Sequence, residues 1–136
     1  MARTNTVQNE SGIKRLDINV TSNELKLLNT NPKELIPAPG IGFFLSVSQI
    51  VLKYTYGTVA YTQPGNTNAV MGATTNNIAQ FGNVLNAGSS FIRQSNTNGT
   101  ALIFENTALE LYNTTSNMSN GDGTLVVTVF YTINQF

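Results

Sequence analysis

The sequence predicts an all-β chain, a sandwich or barrel with one brief helix near the N-terminus. Three observations carry that expectation. Apolar and polar residues alternate at period two in Arg15–Val20, Phe43–Tyr56 and Thr124–Ile133. Clusters of Gly, Asn, Ser and Pro divide the chain into about eight such runs, spaced roughly 8 to 12 residues apart. Helical punctuation occurs near the start, at Thr21-Ser22-Asn23-Glu24.

Met1 to Gly12 is polar and aperiodic and reads as a flexible arm, leaving residues 13–136 as one β-sandwich domain. Leu16, Ile18 and Val20 alternate with Arg15, Asp17 and Asn19, which gives a first strand with one buried face. Thr21 and Glu24 have the spacing of a capping box, so Thr21 to Leu28 is the principal helix, with Leu25 and Leu28 inward. Pro32 holds it to two turns at most. Lys33 to Ile36 is a short strand, and Pro37-Ala38-Pro39-Gly40 is a rigid turn.

Phe43, Leu45 and Val47 share one parity, while Ile50, Leu52, Tyr54 and Tyr56 share the other. That phase change at Ser48-Gln49 predicts a bulge, since one extra residue restores the inward face. Gly57 to Gly88 reads as short strands and long loops. Ser89 to Gln94 and Ala101 to Glu105 are strands separated by a turn at Asn98-Gly99. Thr107 to Tyr112 is a strand or a helical turn, and Asn113 to Gly123 is a loop closed by a hairpin turn at Gly121-Asp122-Gly123. Thr124 to Ile133 ends the series with Leu125, Val127, Val129, Tyr131 and Ile133 on one face. Its other face carries Val126 and Phe130, apolar where a half-solvated strand would be polar.

Composition narrows function more than it narrows fold. Only 10% of residues are charged, against a usual figure of about 25%. Neutral polar residues fill the gap: Asn, Thr, Ser and Gln make up 52 of the 136. Zero net charge, seven Phe and five Tyr argue for a folded chain rather than a disordered one. With no His and no Cys, the common nucleophile pairs, zinc sites, iron–sulfur clusters and disulfides cannot be built. Six of the seven cations lie in the first 53 residues, interleaved with Glu10, Asp17, Glu24 and Glu34, and Arg93 is the only later one, so no basic face for nucleic acid is expected. No run of 18 apolar residues occurs, so no membrane span is expected either.

Individual motifs have plain structural readings. Glu105 with Glu110, or Asp17 with Glu24, could be proposed as a glycosidase pair, but seven acids always yield some pair and Glu24 already has a capping role. Asp122 is too solitary for calcium. Gly40-Ile41-Gly42 lacks the later glycine and the helix of a phosphate loop. The sequons at Asn9, Asn19, Asn98, Asn113 and Asn117 are expected by chance in so Asn- and Thr-rich a chain. Tyr54, Tyr56 and Tyr61 could stack on sugar, although the shared parity of Tyr54 and Tyr56 favours packing.

Two segments carry a resemblance. Leu16-Asp17-Ile18-Asn19-Val20-Thr21, Glu24-Leu25-Lys26, Leu28-Asn29, Pro32, Pro37-Ala38-Pro39-Gly40 and Leu52-x-Tyr54-x-Tyr56-Gly57 resemble the opening of small tailed-bacteriophage virion proteins. Gly121-Asp122-Gly123-Thr124-Leu125, leading through Val127 and Val129 to Tyr131-Thr132, is similar to the terminal strand of the same group. Thr58 to Asn120 carries no matching motif. The resemblance implies a jelly-roll β-sandwich in a phage particle: a head fibre, a capsid decoration subunit or part of a tail appendage. It implies contact with other virion proteins and, since virion jelly rolls assemble about threefold axes, a homotrimer.

The expectations are therefore a structural virion protein that is not an enzyme and needs no cofactor or metal. Leu16, Ile18, Leu45, Val47, Leu52, Val127 and Val129 form its core. Val126, Phe130 and Phe136 are the candidate assembly contacts. The alternative is a β-sandwich module of a tail appendage that binds a host glycan or receptor.

Overall fold

The computed structural model describes residues 12–96 and 103–136. The elements in chain order are β1 (Lys14–Val20), α1 (Ser22–Leu25), β2 (Lys33–Ile36), β3 (Phe43–Thr55), β4 (Tyr61–Thr62), β5 (Thr67–Met71), β6 (Asn77–Gly82), a 3₁₀ turn at Val84–Asn86, β7 (Phe91–Asn96), β8 (Leu109–Asn113), β9 (Ser119–Asn120) and β10 (Thr124–Gln135). The expected arm, Met1 to Gly12, lies outside the described residues except for Gly12, as does the turn at Asn98-Gly99.

Two antiparallel four-stranded sheets face each other, one in the order β1-β10-β3-β7 and the other β2-β8-β5-β6. The chain passes from the first sheet to the second at β1–β2, back at β3, over again at β5–β6, and so on to β10. That winding is the jelly roll, in which the two sheets bury one shared core. Leu45, Ile50, Leu52, Leu125, Val127 and Val129 fill it from the first sheet, and Leu35, Ile36, Ala69, Met71, Ile78, Leu109 and Leu111 from the second. The sandwich, rather than the barrel, is the form adopted.

Local sequence explains several boundaries. Thr21 Oγ1 accepts from the Glu24 backbone N–H at 3.2 Å, and Glu24 Oε1 accepts from the Thr21 N–H at 2.9 Å, so the capping box is complete. The helix it starts is a single turn, and the chain then reaches Leu28, fully buried like Leu25, through turns. In the first sheet, Phe130 lies opposite Gln49 while Tyr131 lies opposite Val47. Ser48 is the surplus residue of a bulge, and its Oγ donates to the Phe130 carbonyl at 3.1 Å. This is the device the phase change in the sequence requires.

Four expectations need correction. Leu16 has inward parity opposite Val129 but is 37% exposed. It sits on an edge strand, while Val129, its neighbour on the central strand, is fully buried. Ile18, on the same edge strand, and Val47, on β3, are half-buried. Of the strand expected over Ala101 to Glu105, the first two residues lie outside the described part. The remainder makes only a lone bridge between Glu105 and Phe44, because Asn106 turns the chain with φ +49°. The loop Asn113 to Gly123 contains β9, which pairs with β4. Gly121-Asp122-Gly123 accordingly turns no hairpin: Asn120 and Gly121, at φ +56° and +72°, swing the chain from β9 into the first sheet. Among the described residues no helix is long and apolar enough to cross a membrane.

Candidate assembly surface

Even-numbered residues of β10 face away from the core, and the register fixes their neighbours. Val126 lies between Asn19 and Lys53, Thr128 between Asp17 and Val51, and Phe130 between Arg15 and Gln49. This middle zone is largely covered from within the chain. The Arg15 guanidinium carbon sits 5.8 Å from the centre of the Phe130 ring. Arg15 Nε donates to Asp17 Oδ1 at 3.3 Å, and Thr128 Oγ1 donates to the same oxygen at 2.6 Å. The Thr128 hydrogen bond, helped by the hydrogen bond and charge of Arg15, holds the Asp17 carboxyl below the usual carboxylate range. Gln49 Nε2 donates to Gln94 Oε1 at 2.8 Å. Val126 and Phe130 end up half-buried.

Phe136 does not join them. It shares their parity but lies six residues beyond Phe130, about 20 Å along an extended strand. There it packs on Phe44, with ring centres 4.7 Å apart, and its N–H donates to the Gly42 carbonyl at 3.0 Å. This is the far tip of the first sheet, and backbone hydrogen bonds shape it. Gly40 N–H donates to Asn106 Oδ1 at 2.9 Å, Gly42 N–H to Glu105 Oε2 at 2.6 Å, and Asn106 N–H to the Phe43 carbonyl at 2.9 Å. Gly40 and Gly42 have φ of +110° and +89°, which only glycine holds without strain. Between them Ile41 is lifted into solvent, 83% exposed.

The tip gathers half of the exposed large apolar side chains found among the described residues: Ile41, Phe43, Ile103, Ile133 and Phe136. Ile133 and Phe43 have inward parity, opposite Leu45 and Gln135, yet are 40% and 36% exposed. The first sheet overhangs the second here, because β3 and β10 run 13 and 12 residues against four to six. Sequence reasoning found Phe136 alone of this set. A glycine on each side of Ile41 was the available signal for that residue, while the overhang depends on strand lengths in the other sheet and had none.

The opposite end is closed. Asp122 Oδ1 accepts from the Thr58 N–H at 2.8 Å and the Val59 N–H at 3.0 Å, and Oδ2 accepts from the Thr58 hydroxyl. These bonds, led by the Thr58 hydroxyl, hold its carboxyl below the usual range. Beneath it Tyr61 is buried, and its hydroxyl donates to the Gly123 carbonyl at 2.6 Å. Tyr54 is buried beside it, so neither ring offers a face to sugar. Burial pushes both phenols up from their ordinary value.

No reactive constellation accompanies these surfaces. Glu105 serves the tip turn, Glu110 lies across from Glu34 on the second sheet, Asp17 serves β1, and Glu24 is held by Lys33 Nζ at 2.5 Å and by Thr21. Among the described residues no group of three or more His, Cys, Asp or Glu side chains comes together. A groove of about 170 Å³ between α1 and β2, lined by Leu27, Pro32 and the Glu24–Lys33 pair, is smaller than the ~300 Å³ of ordinary ligand pockets.

No protein-family model and no curated protein matches the sequence. Solved structures do match the fold. The chain is similar to one in the capsid of Ralstonia phage GP4, with a TM-score of 0.56 at 13% identity, covering 96% of this chain and 90% of that one. It is likewise similar to a chain of the cyanophage Pam1 capsid asymmetric unit, with a TM-score of 0.52 at 19% identity over 97% and 91%.

Proposed function

We propose that this chain is a structural protein of a tailed-bacteriophage virion, acting through protein–protein contacts and catalysing nothing. One observation carries the reading: nearly the whole chain, and nearly the whole of each match, share one jelly roll with two phage capsid chains.

The surface chemistry supports it. Few Lys or Glu side chains means little side-chain entropy to lose on permanent assembly. Among the described residues Asp17, Glu24, Glu105 and Asp122 are held by structural partners, which ties up most of the acids that hydrolysis would need. Within this reading the protein is a homotrimeric head-fibre or capsid-decoration subunit. Burial of Tyr54 and Tyr61 weakens the alternative of a glycan-binding appendage module, which needs an exposed aromatic row.

The test is to purify particles of a phage encoding this chain and look for it. Stoichiometric recovery of the chain by mass spectrometry, with antibody label on the head surface, is the expected result. Its absence from particles overturns the virion reading, and label confined to the tail overturns the head assignment.

A further inference from the structure

We propose that the overhanging tip of the first sheet is the contact between copies of this chain, each copy's tip covering its neighbour's around a common axis. The proposal rests on the virion reading above and supplies what that reading lacks, the surface through which the subunits meet.

The tip is unfinished on both faces. Ile133 and Phe43 carry inward parity, yet they stay 40% and 36% exposed. On the outward face, Phe136 stacks on Phe44 and remains 70% exposed. At roughly 200 Å² for each fully exposed large side chain, the five exposed residues present about 500 Å² of apolar surface. A standard interface buries about 800 Å² per partner, and a little over half of that is apolar. One tip therefore has the apolar area of one interface.

Apolar area together with low charge favours a second copy as the partner. The acid at the tip, Glu105, is tied to the Gly42 N–H, and the nearest outward-facing cation, Arg15, is committed to Asp17 and Phe130. A surface whose few charges are engaged within the chain offers little to a strongly charged partner, and its apolar area is that of one interface. The middle zone at Val126 and Phe130 is the weaker candidate, since Arg15 and the cross-strand neighbours already cover it.

The test uses the full chain in light scattering at micromolar concentration. Wild type should show a multiple of the 14.7 kDa chain mass. The double variant Ile41→Ser with Phe136→Ser should fall to monomer mass, with self-association at least tenfold weaker and an unchanged thermal melt. Val126→Ser with Phe130→Ser should keep the wild-type mass. Should the tip double lose its melt, Ile41→Ser alone serves, because that side chain touches little of its own chain. A monomeric wild type, a tip variant of unchanged mass, or dissociation caused equally by the middle-zone double overturns the proposal. Failure of the two readings is separable: a chain found in particles but monomeric in solution defeats this contact alone, while one that dissociates as described but is missing from particles defeats the virion reading alone.

Discussion

At one end of the sandwich Asp122 ties Thr58 and Val59 to the start of β10, with the Tyr61 hydroxyl bonded beneath. At the other end, past the Ser48 bulge, β3 and β10 run on together and leave Ile41, Ile133 and Phe136 open to solvent. The same two strands form both ends, so strand propensity does not distinguish them. What differs is the chemistry of the flanking loops. Side-chain oxygens meet backbone donors at both ends, Asp122 at one and Glu105 and Asn106 at the other, but only the open end also carries an apolar overhang whose finishing is left to another surface.

The largest effect should come from the shared middle. Val127 is fully buried between β1 and β3, and Val127→Asp should cost beyond about 4 kcal/mol and leave no soluble folded protein, checked by expression and circular dichroism. A soluble variant of unchanged melting would show that the two ends fold independently of that centre.

Next, Gly121→Ala should destabilise the closed end by about 3 kcal/mol or more in a denaturant titration. A Cβ there would fall inside the Tyr61 ring, and φ is +72°. Gly42→Ala at the open end meets nothing within 4 Å and should show only the cost of its positive φ, about 1–2 kcal/mol. Equal losses at the two glycines would erase the contrast between a packed end and an open one.

A smaller effect depends on pH. The folded Asp122 carboxyl titrates below its ordinary 3.8, so it binds protons less readily than the unfolded group. Its stabilisation is complete above that value and is lost as pH falls through the folded one. Asp122→Asn should lower the melting temperature at neutral pH and flatten the acid side of a stability-versus-pH curve. Asp17 and Glu24, held low by Thr128 and Lys33, keep part of that slope. An unchanged acid slope would mean that the closed end does not rest on this carboxylate.

The smallest effect lies on the second sheet. Glu34 and Glu110 are directly opposed across β2 and β8. Glu110→Gln should raise stability by about 0.2–1 kcal/mol, with the gain shrinking in high salt. A loss instead would mean that Glu110 is engaged in a favourable contact.

What the sequence made legible was local. The capping box at Thr21 and Glu24, the bounds of β2 and the bulge at Ser48 follow from spacing within a few residues, and period two carried the inner strands. Two classes of fact were hidden. Leu16 and Ile133 have the parity of core residues, but their exposure is decided by position in the assembled sandwich, Leu16 on an edge strand and Ile133 near the end of a long one. In β5, Thr67 and Asn68 are polar and fully buried in a strand. They are tolerated because the network around them is nearly satisfied. Gln63 Nε2 donates to Thr67 Oγ1 at 2.8 Å and Asn113 Oδ1 at 2.7 Å, and Gln63 Oε1 accepts from the Leu85 N–H at 2.9 Å. Polar residues in a buried strand read as loop until the distant partners that satisfy them are known. Of the candidate assembly contacts Phe136 lies at the open tip, whose other exposed apolar residues the sequence did not single out.

The position of β10 between β1 and β3 has a kinetic consequence. Every other strand precedes it in the chain, yet β1 has no other ladder partner in its sheet and β3 has only β7 besides. On the ribosome β1 stays unpaired and the first sheet incomplete until β10 emerges, more than a hundred residues later. Closing contacts between residues as distant as Leu16 and Val129 places the chain among high-contact-order folds, which fold in milliseconds to seconds. Over that interval the half-built jelly roll is the species most exposed to misassembly, and fast supply of β10 protects it.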